Sequence, residues 1–447
     1  MSTPAALPDA TTRKRNGEAN KLRDKDRPVH DWYRFVLSYP PHFVRDYLKR
    51  FGIGDGCTVL DPFCGTGTTL VECKKLGVES IGLEANPLPC FASRVKVNWS
   101  ANPSELVSHA RKVGDIALTE IRYSAPRHRA DLELVCDRPD LRTLDPEQMK
   151  LLLSNSISPL PLHKTLILLD CLNREIDDRF HDHERLALAN ALVRKIGNLH
   201  FGPEVGVGKP KSDVGVVEEW FLEVLRIARD LRAWQEAAGV RSTVHCADAR
   251  DVAKALEPAS VDAVITSPPY PNEKDYTRTT RLESVLLGFI HSKDQLRALK
   301  RRLVRSNTRG VYKEDDDEQW VATHREIQDI AEEIESRRIA MGKTSGFERR
   351  YARVTRLYFG GMARHLADLR AVLKPGAQLA YVVGDQASYL QVMIRTGQLL
   401  ADIAQSLGYE VVAVDLFRTR LATATRQMLR EEVVVLRWSG DRSDEES

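Results

Sequence analysis

Two short strings in this 447-residue chain bring together residue types that can do chemistry. The first, Asp61-Pro62-Phe63-Cys64-Gly65-Thr66-Gly67-Thr68-Thr69, follows the apolar run Thr58-Val59-Leu60. Gly65 and Gly67 carry no Cβ, so the backbone can turn sharply there and approach a ligand closely. Thr68 and Thr69 are placed to cap the helix that follows, whose free N–H groups favour an electron-rich partner. The second string, Ser267-Pro268-Pro269-Tyr270, follows the run Val261 to Thr266. Its chemistry suits a planar amine, a poor nucleophile because its lone pair is delocalised into the ring. Accepting both N–H hydrogens makes that nitrogen more tetrahedral and presents the lone pair. Ser267 Oγ and the Pro268 carbonyl can be the two acceptors. Pro268 and Pro269 fix φ and bring no competing N–H, while Tyr270 offers a face on which a base can stack.

Both strings read as turns at the carboxyl ends of buried strands, the edge where open parallel α/β sheets bind ligands. Around them the pattern is β-α-β-α: a strand at Thr58–Leu60, a helix from Gly67 to Leu76, a strand at Glu79–Leu83 and a helix from about Pro87 to Val97. Further strands are expected at Thr243–Cys246, Val261–Thr266, Gln378–Val383, Glu410–Val414 and Glu432–Trp438, seven in all. Between them, residues 100–240 and 291–351 carry mainly helical patterns. The first of these regions includes a helix at Glu147–Leu153 and a Gly/Pro/Lys loop at Phe201–Val214. Ahead of the first turn, an aromatic-rich stretch from His30 to Phe51, which includes Arg34-Phe35, contains a helix after Pro40-Pro41.

The two strings in this setting resemble the amino-methyltransferases of DNA, which move a methyl group from S-adenosylmethionine to cytosine N4 or adenine N6. The resemblance covers residues 30–99, 243–290 and 352–438. It implies an α/β fold: a Rossmann-like, seven-stranded class I methyltransferase core with two largely helical inserts. Its S-adenosylmethionine site would use Asp61, Phe63, Gly65, Thr66, Gly67 and Thr68, with Asp61 accepting from the cofactor's ammonium group. Glu84 would grip the ribose hydroxyls, and Asp248 would meet the adenine amine. Ser267, Pro268, Pro269 and Tyr270 would be the catalytic group. The motif order, cofactor turn first, implies a circular permutation relative to many family members. The aromatic segment at 30–51 would then close over the methionine end.

The expected organisation is a mobile polar tail at 1–29, the cofactor half of the core at 30–99, and a helical insert at 100–240 as a possible target-recognition region. The catalytic half follows at 241–290, a charged helical insert at 291–351, and the rest of the core at 352–447. A serine at the head of the second string favours cytosine N4 over adenine N6 within the family. Double-stranded DNA is the expected partner, with cognate restriction or defence proteins beside it. An RNA guanine-N2 methyltransferase and a non-catalytic DNA-binding protein on the same fold are the rival classes. A third glycine three residues after Gly67 would mark a dinucleotide site, but Leu70 stands there. Pro89-Cys90 has the residue types of a cytosine-C5 nucleophile, but it follows the second strand, where the acceptor base does not go.

Composition sets only limits. A net charge of +3 is too small to imply nucleic-acid binding by itself. Seven cysteines without a CxxC pair point to a reducing cytoplasm. No apolar run approaches the ~20 residues of a membrane span, and the first residues lack the order of a signal peptide. The basic stretch Lys293–Arg309, with Lys300-Arg301-Arg302 contiguous, can neutralise phosphates, or the acidic run Glu314–Glu318 can neutralise it within the fold. Lys209 and Lys211 pose the same choice. His181-Asp182-His183-Glu184 has metal-ligand residue types, but neighbours in sequence do not share a helix face. A solvated surface, and no metal, is expected there. Tyr276 and Arg278, just past the second string, are placed either to grip a nucleotide or to pack.

Overall fold

Seven strands, the central ones buried at nearly every position, build one sheet. In the computed structural model, which describes residues 22–33, 38–124, 141–201, 205–272, 274–421 and 427–440, these are β1 (Thr58–Asp61), β2 (Glu79–Leu83), β3 (Ser242–His245), β4 (Val261–Thr266), β5 (Leu373–Gly384), β6 (Glu410–Leu421) and β7 (Met428–Arg437). Their spatial order is 3-2-1-4-5-7-6. The first five are parallel, and β7 runs antiparallel to both β5 and β6. The chain leaves β1 toward β2 on one side and later returns to place β4 on the other. This is a topological switch point, where a crevice opens at the strands' carboxyl ends. The two turns singled out above follow β1 and β4, so the topology sets them side by side.

Successive side chains of a strand point to opposite faces. Leu60, Val264 and Leu379 face a core with the helices Arg325–Ala340, Tyr351–Leu369 and Thr396–Ser406. Val59, Ala263 and Ala380 face the helix Pro41–Arg50. That helix begins on Pro41, which needs no N–H there, and buries Phe43, Val44, Tyr47 and Leu48 on one stripe.

The described residues of 100–240 are largely helical, with helices Pro103–Ser124, Pro159–Arg174, His181–Ala191 and Val216–Trp234. They share one apolar cluster with Leu70 and Val71 of the helix Thr68–Lys75 and with Leu88 and Phe91 of the helix Pro87–Lys96. The insert is therefore built onto the core's flank. Two local expectations fail inside it. Leu199–Phe201 and Val205–Val207 pair as short antiparallel strands where a loop was expected from Phe201; three-residue strands are too short to leave a periodic signal. The helix expected at Glu147–Leu153 is one turn, Pro146–Met149, capped by Asp145. Asn155, at φ 59°, then turns the chain.

Residues 1–21 of the expected tail, and Arg34 and Phe35, lie outside the described residues. Residues 22–29 of that tail are anchored to the fold at three positions. Leu22, Asp26 and Val29 are buried, Arg45 pairs with Asp26 at 2.9 Å, and Val29 N donates to Asp230 Oδ2 at 2.9 Å. The polar composition that read as a tail is used in ion pairs. Among the described residues, no helix is long and apolar enough to cross a membrane.

Candidate active site

The carboxyl ends of β1 to β4 surround one cavity of about 550 Å³. Phe63, Gly65, Thr66 and Thr68 line it from the first turn, Glu84 and Asp248 from the ends of β2 and β3, and Ser267, Pro268, Pro269 and Tyr270 from the second turn. Ten of the twelve residues anticipated from sequence thus share one space. Asp61 and Gly67 are not in its lining.

The first turn works through its backbone. Gly65 has φ +51°, and nothing lies within 4 Å of where its Cβ would be, so that space belongs to the cavity. Gly67, at φ +81°, is itself the N-cap of the helix Thr68–Lys75. A Cβ there would meet Ser93 Oγ at 2.5 Å, so the glycine serves close packing. The expected threonine cap is absent: no side chain caps this helix. Thr69 instead donates to the Ile265 carbonyl at 3.0 Å, tying the turn to β4, while Thr68 faces the cavity.

Asp61 is wholly buried. Its Oδ1 accepts from Thr266 Oγ1 at 2.6 Å and Phe63 N at 3.2 Å, and its Oδ2 from the Tyr39 hydroxyl at 2.8 Å. Burial outweighs those donors and raises its pKa to about 6. Its carboxylate is thus spent on holding the turn and the preceding segment. Ser38 and Tyr39 of that segment line the cavity, the position expected of a segment that closes over one end of the ligand. Glu84 accepts from Gly65 N at 3.0 Å and Asn86 N at 2.8 Å. Burial raises it to about 7 despite both donors. Asp248 caps the turn Ala249–Lys254 through Arg250 N at 3.0 Å and pairs with the Arg250 guanidinium at 2.6 Å. It is both a strand-end cap and part of the wall.

At the second turn, Ser267 Oγ donates its proton to the Val382 carbonyl of β5 at 3.1 Å. With the proton committed there, the oxygen's lone pairs remain to accept. Tyr276 also lines the cavity, its hydroxyl 3.4 Å from Tyr270 N, whereas Arg278 is not in the lining.

The wall also contains residues that sequence reasoning missed. β6 continues to Leu421 and β7 begins at Met428, longer than the apolar runs indicated. The extension brings Phe417, Arg418 and Glu431 to the cavity. The surviving signal was the apolar pair Leu416-Phe417 past Val414, set among charged residues. From the basic stretch, Lys300 lines the cavity and pairs with Asp275 at 2.7 Å, and Arg302 donates to the Cys246 carbonyl at 2.7 Å. Arg305 pairs with Asp315 at 2.6 Å and Arg353 with Glu318 at 3.0 Å, so much of the acidic run is spent within the fold.

Two weaker signals resolve as structure. Lys211 donates to the Lys195 and Gly197 carbonyls at 2.5 and 2.6 Å, while Lys209 is exposed. His183 and Glu184 are buried, against the solvated surface expected; His183 bonds the Asn98 carbonyl and Glu184 bonds His109. The helix turns them inward against Pro103–Ser124 and its approach.

Residues 15–90 match the model of a DNA methylase family, N6/N4 type. The Type II methyltransferase M.BsoBI of Geobacillus stearothermophilus is 25% identical over 452 aligned positions, covering 93% of this chain and 85% of that protein. M.AvaI of Nostoc sp., also a Type II methyltransferase, is 22% identical over 91% of this chain and 84% of its own length. M.MjaII of Methanocaldococcus jannaschii is 37% identical over a 76-residue stretch, 17% of this chain and 14% of its own. Motifs, sheet order and these likenesses agree: the chain is related to the DNA amino-methyltransferases of the N4/N6 type.

Proposed function

We propose that this chain methylates the exocyclic amine of a base flipped out of double-stranded DNA, using S-adenosylmethionine, with cytosine N4 the preferred target. The observation that carries the reading is the meeting of both turns in one cavity, with Ser267 fixed as an acceptor by Val382. The cavity suits the cofactor on its own terms. Open space stands at Gly65 where a side chain would be, uncapped helix N–H groups start at Thr68, and half-buried acids follow β2 and β3. Gly65, Thr66 and Thr68 would hold its amino-acid end, Phe63 and Asp248 its adenine end, and Glu84 its ribose. Asp61 and Gly67 would act on it through the turn they shape. When bound, the cofactor supplies a methyl group on a positively charged sulfur.

The chain's own work is orientation. Ser267 Oγ and the Pro268 carbonyl accept the two amine hydrogens, and Pro268 and Pro269 keep both acceptors from swinging. Tyr270 stacks on the base, a contact of roughly 1–3 kcal/mol, comparable with the few kcal/mol that flipping costs. The preference for cytosine rests on serine at position 267; adenine N6 is the alternative at the same site. Neighbouring bases must be read by added elements, a role that falls to residues 100–240, to 291–351, or to both. Such an enzyme would work in the cytoplasm as the protective half of a restriction or defence system, a reading supported by its likeness to two proteins named Type II methyltransferases.

The test is expression in a methylation-free host, followed by modified-base sequencing of its DNA. N4-methylcytosine in one sequence context is the expected product. N6-methyladenine would move the preference, and unmodified DNA with methylated RNA guanine would overturn the reading.

A further inference from the structure

Gly384 ends β5 two residues beyond Val382, so the two positions face the same side of the sheet. Val382 holds Ser267. A Cβ on Gly384 would come within 3.1 Å of Tyr270 Cε2, 3.5 Å of Tyr270 Cδ2 and 3.2 Å of Glu431 Cγ. The Tyr270 ring thus lies where a side chain would project. Glycine inside a strand costs about 0.5–1 kcal/mol relative to alanine and commonly marks a close approach. Gly384 is not among the positive-φ residues, so what it provides is room.

The seat extends sideways. Gly384 pairs with Glu431 across β5 and β7, and Glu431 pairs with Arg418 across β7 and β6. Arg418 Nε donates to Glu431 Oε2, and a second guanidinium nitrogen donates to Oε1 at 2.7 Å. A two-pronged contact of this kind fixes geometry as well as charge. One row of residues over three strands therefore ends at the ring, and Arg418 and Glu431 also line the cavity. Burial and the Glu431 carboxylate both push the Tyr270 phenol pKa up, keeping the hydroxyl neutral.

We propose that Gly384, backed by the Glu431–Arg418 pair, is a positioning residue that seats the Tyr270 ring, so that strand β5 fixes both ends of the Ser267–Tyr270 turn. The seat has its use if Tyr270 stacks on the target base, and in that respect the inference rests on the function proposed above. A ring laid against a strand does not have to be ordered when the base arrives. The gap beside Gly384 is specific to this pairing: Val382, on the same face, carries a full side chain and holds Ser267 through its carbonyl.

The test is a double-mutant cycle of Gly384→Ala and Tyr270→Ala in the full chain, with Gly384→Val as a graded second variant. Three quantities are read: the unfolding midpoint, the affinity for S-adenosylhomocysteine, and kcat and KM on DNA. Gly384→Ala is expected to leave S-adenosylhomocysteine affinity unchanged and to lower kcat about threefold to tenfold by displacing the ring a few tenths of an ångström. Gly384→Val should lower it further. Neither loss should appear in the Tyr270→Ala background. Equal fractional losses in both backgrounds, or an unchanged kcat, would overturn the proposal. A parent protein that methylates nothing would overturn the proposed function instead. The unfolding midpoints then still decide whether residues 384 and 270 are coupled, and additive midpoints would remove the seat.

Discussion

The Tyr39 hydroxyl donates to the Asp61 carboxylate at 2.8 Å, joining the segment ahead of the sheet to the last residue of β1. The same hydroxyl touches Thr69 Oγ1, and Asp61 reaches Thr266 on β4. One buried network thus ties the preceding segment, both strands and the helix after the turn. The carboxylate inside it has been taken out of water, and its pKa stands at about 6 against an ordinary 3.8.

Tyr39→Phe should cost about 1–3 kcal/mol, the price of leaving a buried acceptor unsatisfied. The pH dependence has a definite sign. A carboxyl whose folded pKa is raised binds its proton more tightly in the folded state, so this group's contribution to stability falls as pH rises from about 4 to about 6. Losing a donor to the charged form raises the folded pKa further. The gap between parent and variant should therefore be small and constant below pH 6 and widen above it. Urea unfolding at several pH values measures it, and a gap independent of pH would show that the hydroxyl does not support the charged form.

Glu84 gives the cofactor reading a pH signature. Burial holds it at about 7 although Gly65 N and Asn86 N both donate to it. A pair of ribose hydroxyls is accepted best by its charged form, so binding would favour release of a proton where the free protein holds one. Affinity for S-adenosylhomocysteine should then climb with pH up to about 7 and level off above it, by up to about tenfold per unit for one linked proton. In Glu84→Gln the affinity should be weaker and the slope absent. Calorimetry in buffers of different ionisation enthalpy reads the proton directly.

The two glycines of the first turn should behave differently on substitution. Both have positive φ, so alanine at either costs roughly 1–2 kcal/mol of backbone strain. At Gly65 the new methyl enters open cavity, and at Gly67 it meets Ser93 Oγ at 2.5 Å. Gly65→Ala should lose only that backbone strain in stability, and should lose cofactor affinity. Gly67→Ala should lose stability first, and Ser93→Gly should recover part of it. Loss of binding in Gly67→Ala without loss of stability would contradict the packing role.

The seven strands could be read from the sequence, and so could the gathering of ten candidate residues around one cavity, because turn chemistry is local. A glycine-threonine string after an apolar run has few other uses, and Ser-Pro-Pro-Tyr states its own geometry. Direction was harder to read. Asp61 could be recognised as a strand-end acid, but its inward orientation depends on Tyr39 and Thr266, 22 residues before and 205 after it. The extension of β6 past Val414 was hidden because Asp415, Arg418 and Arg420 interrupt the apolar pattern. Backbone pairing with β7, rather than burial, carries that part of the strand. Residues that a strand holds by register alone, such as Arg418 and Glu431, leave no local mark.

The basic stretch shows the same problem for charge, and it leads to a test that separates structural from exposed cations. Charge reversal across Lys300-Arg301-Arg302 treats three residues as equals, yet their surroundings differ. Lys300 is only 14% exposed and pairs at 2.7 Å with Asp275, itself 7% exposed. Reversing it would put two carboxylates together out of water, and breaking a buried pair costs about 3–5 kcal/mol. Arg302 is held by the Cys246 carbonyl at 2.7 Å. Arg301 is 53% exposed, with Glu314 3.6 Å away, so it is available to a phosphate. Arg309 is exposed as well, and its neighbours Asn307 and Gly310 line the cavity. Lys300→Glu should therefore unfold the chain at a lower temperature before DNA enters the question. Arg301→Glu and Arg309→Glu should keep the fold, weaken binding to all DNA sequences alike, and each flatten the salt dependence by about one unit of slope. The measurement is DNA affinity against salt beside an unfolding curve for each variant. An unchanged slope in both arginine variants would mean that DNA approaches the cavity from another side.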